Sequence, residues 1–523
     1  MPSTSRFFSL GFLFYLVFTN AGIAAINRAT HPYVPGMFQN LVSLNSPRNY
    51  GGERRSALKL VIDDLAPVTA ITGNIFLGPV YPQSVLEHID TEKMKLYQNT
   101  GNYWPASFDG VDPRLGTKQE FIGITKRASE LGIGVIQDVV FNNIGYLPQN
   151  ERQDPHYIWQ LGQFGVNVPG GVNIREQFYL WGSWVDLHDA AVFHQRGVIT
   201  TEAYDTYERA EIGSPQYEWA LTQVQEGDLY GLRKLRMDQP GIFDRMMNDH
   251  AWYIRDAGVT KFRIDAAKHF RGPILKNIIN RLRSDVARFR PGAAAEFYLE
   301  FWTQNYRNMS FVLGQLAGST DRVYFFDYAL AGAIRDVILH GGSFQHKIGG
   351  ILGARHINGI KPYMLVPVWM DHDFFIPVYD GSELSLARMA AGYVLAYMMS
   401  SNAPHYYNGF EKTNFGHPYD GNPARDPIHE LIDTSSRGFL AIKSLVSTLS
   451  NPLAHEVLSQ SDDVFITSDS KDHVVLERRL DKRDLKVIAR ISRSSDPGWE
   501  YDAHLVWEYL NPRMSVRVFT RGR

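Results

Sequence analysis

The chain has 523 residues, a formal net charge of -2, 13% aromatic residues and no cysteine. That length exceeds one small core and suits a single large barrel with an appended domain. The balanced charge, with no basic run to track phosphates, excludes a nucleic-acid footprint and favours a neutral ligand; the lack of Cys excludes disulfides and thiolate metal sites.

Residues 1–25 carry one basic residue, Arg6, then an apolar run from Phe7 to Phe18, then the small residues Ala21, Gly22, Ala24 and Ala25. This order predicts a cleaved secretory signal; a membrane anchor would need a longer apolar core. A secreted or periplasmic protein of bacterial type is expected, with no membrane contact once the signal is removed. Next come a strand over 36–44, a helix over 55–65 and a strand over 71–80. Phe121, Ile124, Ala128 and Leu131 recur at helical spacing, with Gly132 where a helix-terminating glycine belongs. The strand 135–141 that follows is apolar except for Gln137 and Asp138.

The alternation lapses over 143–239, a stretch rich in Gly, Asn, Pro and aromatics (Trp159, Trp181, Trp184, Trp219) and far too long for a plain loop. It reads as an inserted domain. Helices over 242–256, 273–289 and 384–399 then alternate with strands beginning near 259, 294, 322, 363 and 403. Together with 36, 71 and 135 these make eight strands, so the predicted fold is an α/β (β/α)8 TIM barrel with the insertion after strand 3. Beyond about 445 the runs 473–480, 485–491, 503–510 and 515–520 alternate with period two, predicting a C-terminal antiparallel β domain, taken as a sandwich. The division is a signal (1–25), the first part of the barrel (26–142), the insertion (143–239), the second part of the barrel (240–444) and the β domain (445–523).

Active sites of such barrels lie at the C-terminal ends of the strands. Asp265, Glu300 and Asp373 fall at or just past three of those ends. Strand alternation puts Arg263 on the same face as Asp265, where its charge keeps a carboxylate ionised, as a nucleophile requires. Taken alone, Arg-x-Asp on a strand is more often an ordinary ion pair; its partners change that. Glu300 lies between Leu299, Phe301 and Trp302, an apolar setting that would raise its pKa toward holding a proton. Two carboxyl groups about 5 Å apart suit a retaining glycosidase, one as nucleophile and one as acid/base.

The segment from Phe262 to His269 (FRIDAAKH) resembles the second signature region of the α-amylase family, glycoside hydrolases with a (β/α)8 catalytic barrel. Asp138 to Asn143 resembles the first region, the segment around Glu300 (FYLEFW) the third and Met370-Asp371-His372-Asp373 the fourth. Tyr103-Trp104-Pro105, 111–117 and 403–409 agree with the flanking segments, so the resemblance spans roughly 33–450. It implies Asp265 as nucleophile, Glu300 as acid/base and Asp373 as a third carboxylate accepting from sugar hydroxyls. It further implies Arg263 fixing Asp265, His372 donating to the same sugar, Tyr103 stacking beneath it beside Trp104, and Lys268 and His269 reaching the leaving-side sugar.

Several positions depart from the pattern. Asn143 stands where the first region commonly has His, so an amide would replace an imidazole toward the sugar. Gly101-Asn102 replaces a common His-Gly pair, and Asp371 stands where Asn is common, bearing on an anion site. Lys234 lies in a stretch where calcium-binding members place an Asp; Lys offers no oxygen ligand, so an ammonium in place of the metal, tied to Asn142, is preferred over bound calcium. No cofactor or metal ligand is assigned.

His188, Asp189 and His194 read as loop surface rather than a metal site. Trp181 and Trp184 read as the small core of the insertion, His405 and Tyr406 as barrel packing, and Glu296 as a residue too early in its strand to compete with Glu300. The expected function is an exported, monomeric retaining α-glucan hydrolase acting on α-1,4 bonds of starch-like or maltooligosaccharide substrates. A transglycosylase and a glucan-binding barrel without catalysis are the alternatives.

Overall fold

Short apolar runs, buried on both faces, build the central sheet: Asn74–Leu77 (NIFL) and Val323–Asp327 (VYFFD) are buried along their whole length, as parallel strands covered by helices require. The structure is a computed structural model that describes residues 28–40, 48–50, 53–83, 86–90, 95–98, 103–105, 107–108, 110–113, 115–145, 177–181, 183–186, 188–229, 232–371, 382–407, 432–494 and 503–521. The expected signal, His372 and Asp373 lie outside the described residues.

Eight parallel strands form one sheet: β1 (Met37–Asn40), β2 (Asn74–Leu77), β3 (Gly134–Val139), β4 (Lys261–Ile264), β5 (Glu296–Leu299), β6 (Val323–Asp327), β7 (Leu365–Pro367) and β8 (His405–Tyr407). They are the eight expected strands. Their order, β7-β6-β5-β4-β3-β2-β1-β8, is closed to a ring by a parallel bridge between Val368 and His405. The expected helices are present as Ala57–Val68, Lys118–Glu130, Pro240–Arg255, Gly272–Phe289 and Glu383–Met398. Thr117 and Glu120 exchange side-chain and backbone hydrogen bonds at the start of Lys118–Glu130, and Gly132, at φ +71°, takes the left-handed turn that ends it. Three further helices, Tyr306–Gln315, Tyr328–Leu339 and Phe344–Ile357, complete the crossovers and were not expected.

Within the insertion, Asn143–Ile144 pairs antiparallel with Arg233–Lys234, and Gln177–Leu180 with Ser183–Asp186. Two unexpected helices, Thr201–Arg209 and Pro215–Glu226, pack through Ala203, Tyr207, Tyr217, Ala220 and Val224. These residues, not Trp181, make the insertion's own core. Trp181 packs against the main core instead, and its Nε1 donates to Asp249 at 2.6 Å; the Trp184 side chain lies outside the described residues.

At the C-terminus β9 (Val464–Asp469), β10 (His473–Leu480), β11 (Leu485–Ser492), β12 (His504–Asn511) and β13 (Met514–Arg521) form one antiparallel sheet in the order β9-β10-β11-β13-β12. The sandwich expectation needs correcting. The face bearing Val474, Leu476, Val487, Ala489, Val516 and Val518 joins the main core against the helices Glu383–Met398 and Pro452–Gln460, so helices take the place of a second sheet. Among the described residues no helix is long and apolar enough to cross a membrane.

Candidate active site

Parallel register places Arg263 of β4 beside Asp138 of β3 and Tyr298 of β5. The Arg263 side chain is almost wholly buried. Its Nη1 donates to both oxygens of Asp138 at 2.8 Å and to Asp265 Oδ1 at 2.7 Å, and its Nη2 lies 3.1 Å from Glu300 Oε1. Three carboxyl groups from the ends of three neighbouring strands thus converge on one guanidinium. Burial opposes the charge of Arg263, yet Asp138 and Glu300 hold it well above its ordinary value. Burial also pushes the Asp138 carboxyl up to about 6, against the pull of Arg263 and the Tyr103 hydroxyl, which donates to it at 2.6 Å.

Just past β4 the chain turns sharply. Asp265 N–H still donates to Val139, but Ala266 adopts a left-handed conformation (φ +49°), costly for a residue with a Cβ and characteristic of over-determined sites. Its N–H donates to Glu300 Oε2 at 2.6 Å. Both Glu300 oxygens therefore face positive or donating groups, Arg263 and Ala266 N–H, which suit a carboxylate rather than a carboxylic acid. This differs from the apolar setting expected from its sequence neighbours. Asp265 and Glu300 are each 8% exposed, so both reach the rim without being drowned in solvent.

Tyr103 lies beneath this cluster, with the Arg263 guanidinium carbon 5.4 Å from the centre of its ring. Trp104 is buried beside it, and Gly145 leaves no room for a Cβ against the Trp104 carbonyl oxygen, 2.7 Å from where that atom would sit. Asn143 is fully buried; its amide donates to the Tyr103 carbonyl at 3.5 Å and its Oδ1 accepts from Asn142 at 3.2 Å. Asp371 and His405 line a small pocket together with Arg263 and Phe76, and His405 Nδ1 is 2.8 Å from the Met370 carbonyl. Glu296, at the start of β5, is bound to Lys261, Arg322 and the Tyr298 hydroxyl, away from the cluster.

Lys268 and His269 follow in a short helical turn, Ala267–His269. The Lys268 ammonium sits 4.8 Å above the ring of Tyr204, which belongs to the insertion. His269 is buried, with Nδ1 2.8 Å from the Val224 carbonyl, and burial, Lys268 and Lys234 keep it well below its ordinary pKa. The Lys234 ammonium, wholly buried, donates to Asn142 Oδ1 and, at 2.6 Å, to the carbonyl of His269, and lies 4.4 Å from the Phe270 ring. Burial lowers it to about 7 despite Asp228 and Asp238. Asp228 is itself engaged by Arg233 and by the Lys234 N–H at 2.9 Å. His188 is exposed, and His194 Nε2 lies 3.7 Å from Asp238; among the described residues no three His, Cys, Asp or Glu are grouped to hold a metal.

Sequence reasoning missed Asp138 as the partner of Arg263, and Tyr204 as the aromatic face against Lys268. An acid inside an otherwise apolar barrel strand was the signal for the first; nothing comparable marked the second.

A model of the α-amylase catalytic domain matches residues 61–304. An α-amylase of Streptomyces lividans is 22% identical over 226 residues, 38% of this chain and 22% of that protein. A trehalose synthase of Pimelobacter sp. (strain R48) is 28% identical over 170 residues, 32% of this chain and 25% of that protein. The matches thus span about a quarter of the length of these curated relatives. The crystal structure of a cyclomaltodextrin glucanotransferase with a three-domain ABC distribution superposes with a TM-score of 0.66 at 18% identity, covering 94% of this chain and 100% of that one.

Proposed function

The chain belongs to the α-amylase family, and from that premise we propose that it is a retaining α-glucan hydrolase cleaving α-1,4 bonds of starch-like or maltooligosaccharide substrates. The observation that carries this reading is the single guanidinium of Arg263 holding Asp265 and Glu300 side by side at the barrel rim. Asp265 attacks the anomeric carbon and forms a glycosyl ester while Glu300 gives a proton to the departing oxygen; Glu300 then takes a proton from water, which attacks the same carbon and releases Asp265. Arg263 positions Asp265 and keeps it ionised. Glu300 must turn from Arg263 toward the leaving oxygen to act as acid, and a bound sugar that excludes water supplies the reason to turn. Asp373 and His372 complete the sugar site in this proposal.

Starch turnover by the wild type beside Asp265→Asn and Glu300→Gln tests the mechanism. Losses of at least ~10³-fold are expected, the scale on which triad-type removals act; comparable turnover in all three proteins removes it. Early release of the α-anomer would separately establish retention. Transfer to a sugar hydroxyl is the second reading, favoured by the trehalose synthase among the relatives; lengthened products from maltoheptaose would count for it. Export through the N-terminal apolar segment is part of the proposal, checked by the N-terminus of the mature protein.

A further inference from the structure

Two turns at the barrel rim carry the reacting carboxyl groups, and the insertion holds both. The turn after Asp265 is bound to the helix Pro215–Glu226: Gln225 Nε2 donates to the Phe270 carbonyl at 3.1 Å, His269 Nδ1 lies 2.8 Å from the Val224 carbonyl, and Glu226 pairs with Arg271. The loop after Glu300 is bound to the helix Thr201–Arg209. Glu208 Oε2 accepts from Thr303 Oγ1 at 2.9 Å and from Gln304 N–H at 3.3 Å, and Asn305 Nδ2 donates to the Glu208 carbonyl at 3.0 Å. Asn305 also caps the helix Tyr306–Gln315 through its Oδ1, so one side chain ties the insertion to the crossover that follows β5.

The two helices form one block. They share a buried core, in which the rings of Tyr207 and Tyr217 stack with centres 5.6 Å apart, and close-packed interiors transmit a displacement instead of absorbing it. Glu300 itself is held on two further sides. Its N–H donates to the Ile264 carbonyl at 3.1 Å and its carbonyl accepts from Ala267 N–H at 3.0 Å, while the rings of Phe301 and Trp302 pack on Phe325 and Tyr328. The grip of Glu208 begins at the third residue past Glu300 and closes the remaining side. A retaining pair must stand about 5 Å apart, and a misplacement of ~1 Å in such a constellation costs about 10²-fold in rate.

We propose that Glu208 is a positioning residue for the acid/base: through Thr303 and Gln304 it sets where the loop holds Glu300, and the two-helix block braces that loop against the turn that follows Asp265. The proposal rests on the hydrolase reading above and deepens it. Glu208 acts through the backbone of the loop, and the step it serves is proton delivery to the departing oxygen.

Two aryl α-maltosides separate this from a merely structural role. A 4-methoxyphenolate leaves slowly unless it is protonated, whereas 2,4-dinitrophenolate departs without a proton, so only the first needs a well-placed acid. Glu208→Ala in the full chain is expected to lower kcat/KM on 4-methoxyphenyl α-maltoside ten-fold or more while staying within about two-fold of wild type on the dinitrophenyl compound. Glu208→Gln keeps an acceptor oxygen for Thr303 and should restore most of the loss. Thr303→Val breaks the same contact from the barrel side, should show the same selective loss, and decides alone if Glu208→Ala does not fold. Equal losses on the two maltosides, as from general loosening or a lost contact with the leaving ring, would overturn the proposal, and so would no loss on either. A wild type that turns over neither maltoside nor maltoheptaose ends the hydrolase reading and the brace with it, whereas variants that match an active wild type end the brace alone.

Discussion

An ammonium with no solvent must find its acceptors in the protein, and Lys234 takes one from each side of a seam: Asn142 after β3 and the His269 carbonyl after β4. A hard cation would want several oxygens there, but Asp228, the nearest acid, already serves Arg233 and the Lys234 N–H. We therefore expect melting temperatures in calcium and in chelator to coincide; a shift of many degrees would reverse the assignment. Lys234→Met orphans two buried acceptors and should cost about 1–3 kcal/mol for each in chemical denaturation. Burial lowers Lys234 to about 7, so above that pH the fold holds it uncharged while the unfolded chain still binds the proton. Its contribution consequently rises from about 7 upward, and the gap between wild type and variant should widen between pH 7 and pH 9. Arg263 and Asp265 were legible as a pair because alternation fixes which side chains share a face. The surroundings of Glu300 were not legible, because the rings of Phe301 and Trp302 pack on Phe325 and Tyr328, while β4 and the turn after it bring Arg263 and Ala266 N–H to the carboxylate. Asp138 could be seen as an acid in an apolar strand, but only the register of β3 against β4 names its partner.

Elements differ in how openly the sequence announces them. The helix Lys118–Glu130 shows an apolar stripe, a cap and a closing glycine, Gly132, which marks its end in sequence as in the structure. Tyr328–Leu339 buries residues on almost every side, including Ala329, Leu330, Ala331, Ile334 and Val337, so no polar face gives it a period, and its cap, Asp327, is the last residue of β6. Phe344–Ile357 carries Gly349, Gly350 and Gly353, poor helix formers that hide it for the opposite reason. In the insertion, Thr200 and Ser214 cap their helices in the ordinary way, but the Gly- and Asn-rich stretch before them masks the signal. The helix Glu383–Met398 has one glycine with a specific task. A Cβ on Gly392 would lie 2.2 Å from Trp369 Cε2, in a fully buried indole with nowhere to go, just after β7. Gly392→Ala should therefore overpack the barrel by about 1–3 kcal/mol, read as a lower denaturation midpoint; an unchanged midpoint would mean the indole moves freely.

At the scale of the whole molecule, the barrel was legible because eight apolar strands with helices between them have few other ways to be buried. The docking of the C-terminal sheet was not, since beside its apolar face it uses a buried anchor that in sequence resembles any exposed charge on an alternating strand. Arg478 of β10 is fully buried, and donates to the carbonyls of Met398, Ser400, Leu458 and Ser461 and to the Ser401 hydroxyl. Among the described residues no carboxylate pairs with it. Burial lowers it to about 9, yet its guanidinium fork caps the end of the helix Glu383–Met398, where the dipole and the unpaired carbonyls favour a cation. The same side chain reaches the end of the helix Pro452–Gln460, so it joins the barrel, the linking helices and the sheet at one point. Arg478→Met keeps the bulk but leaves these acceptors buried without donors, and a loss of about 3 kcal/mol or more is expected in urea denaturation. Arg478→Lys keeps the charge but, lacking the fork, should recover only part of it. The sheet's apolar face remains packed on the helix in either variant, so the loss should appear as earlier unfolding of the whole chain; a stability within about 0.5 kcal/mol of wild type for Arg478→Met, the range of an ordinary surface substitution, would show that the sheet is held by apolar packing alone.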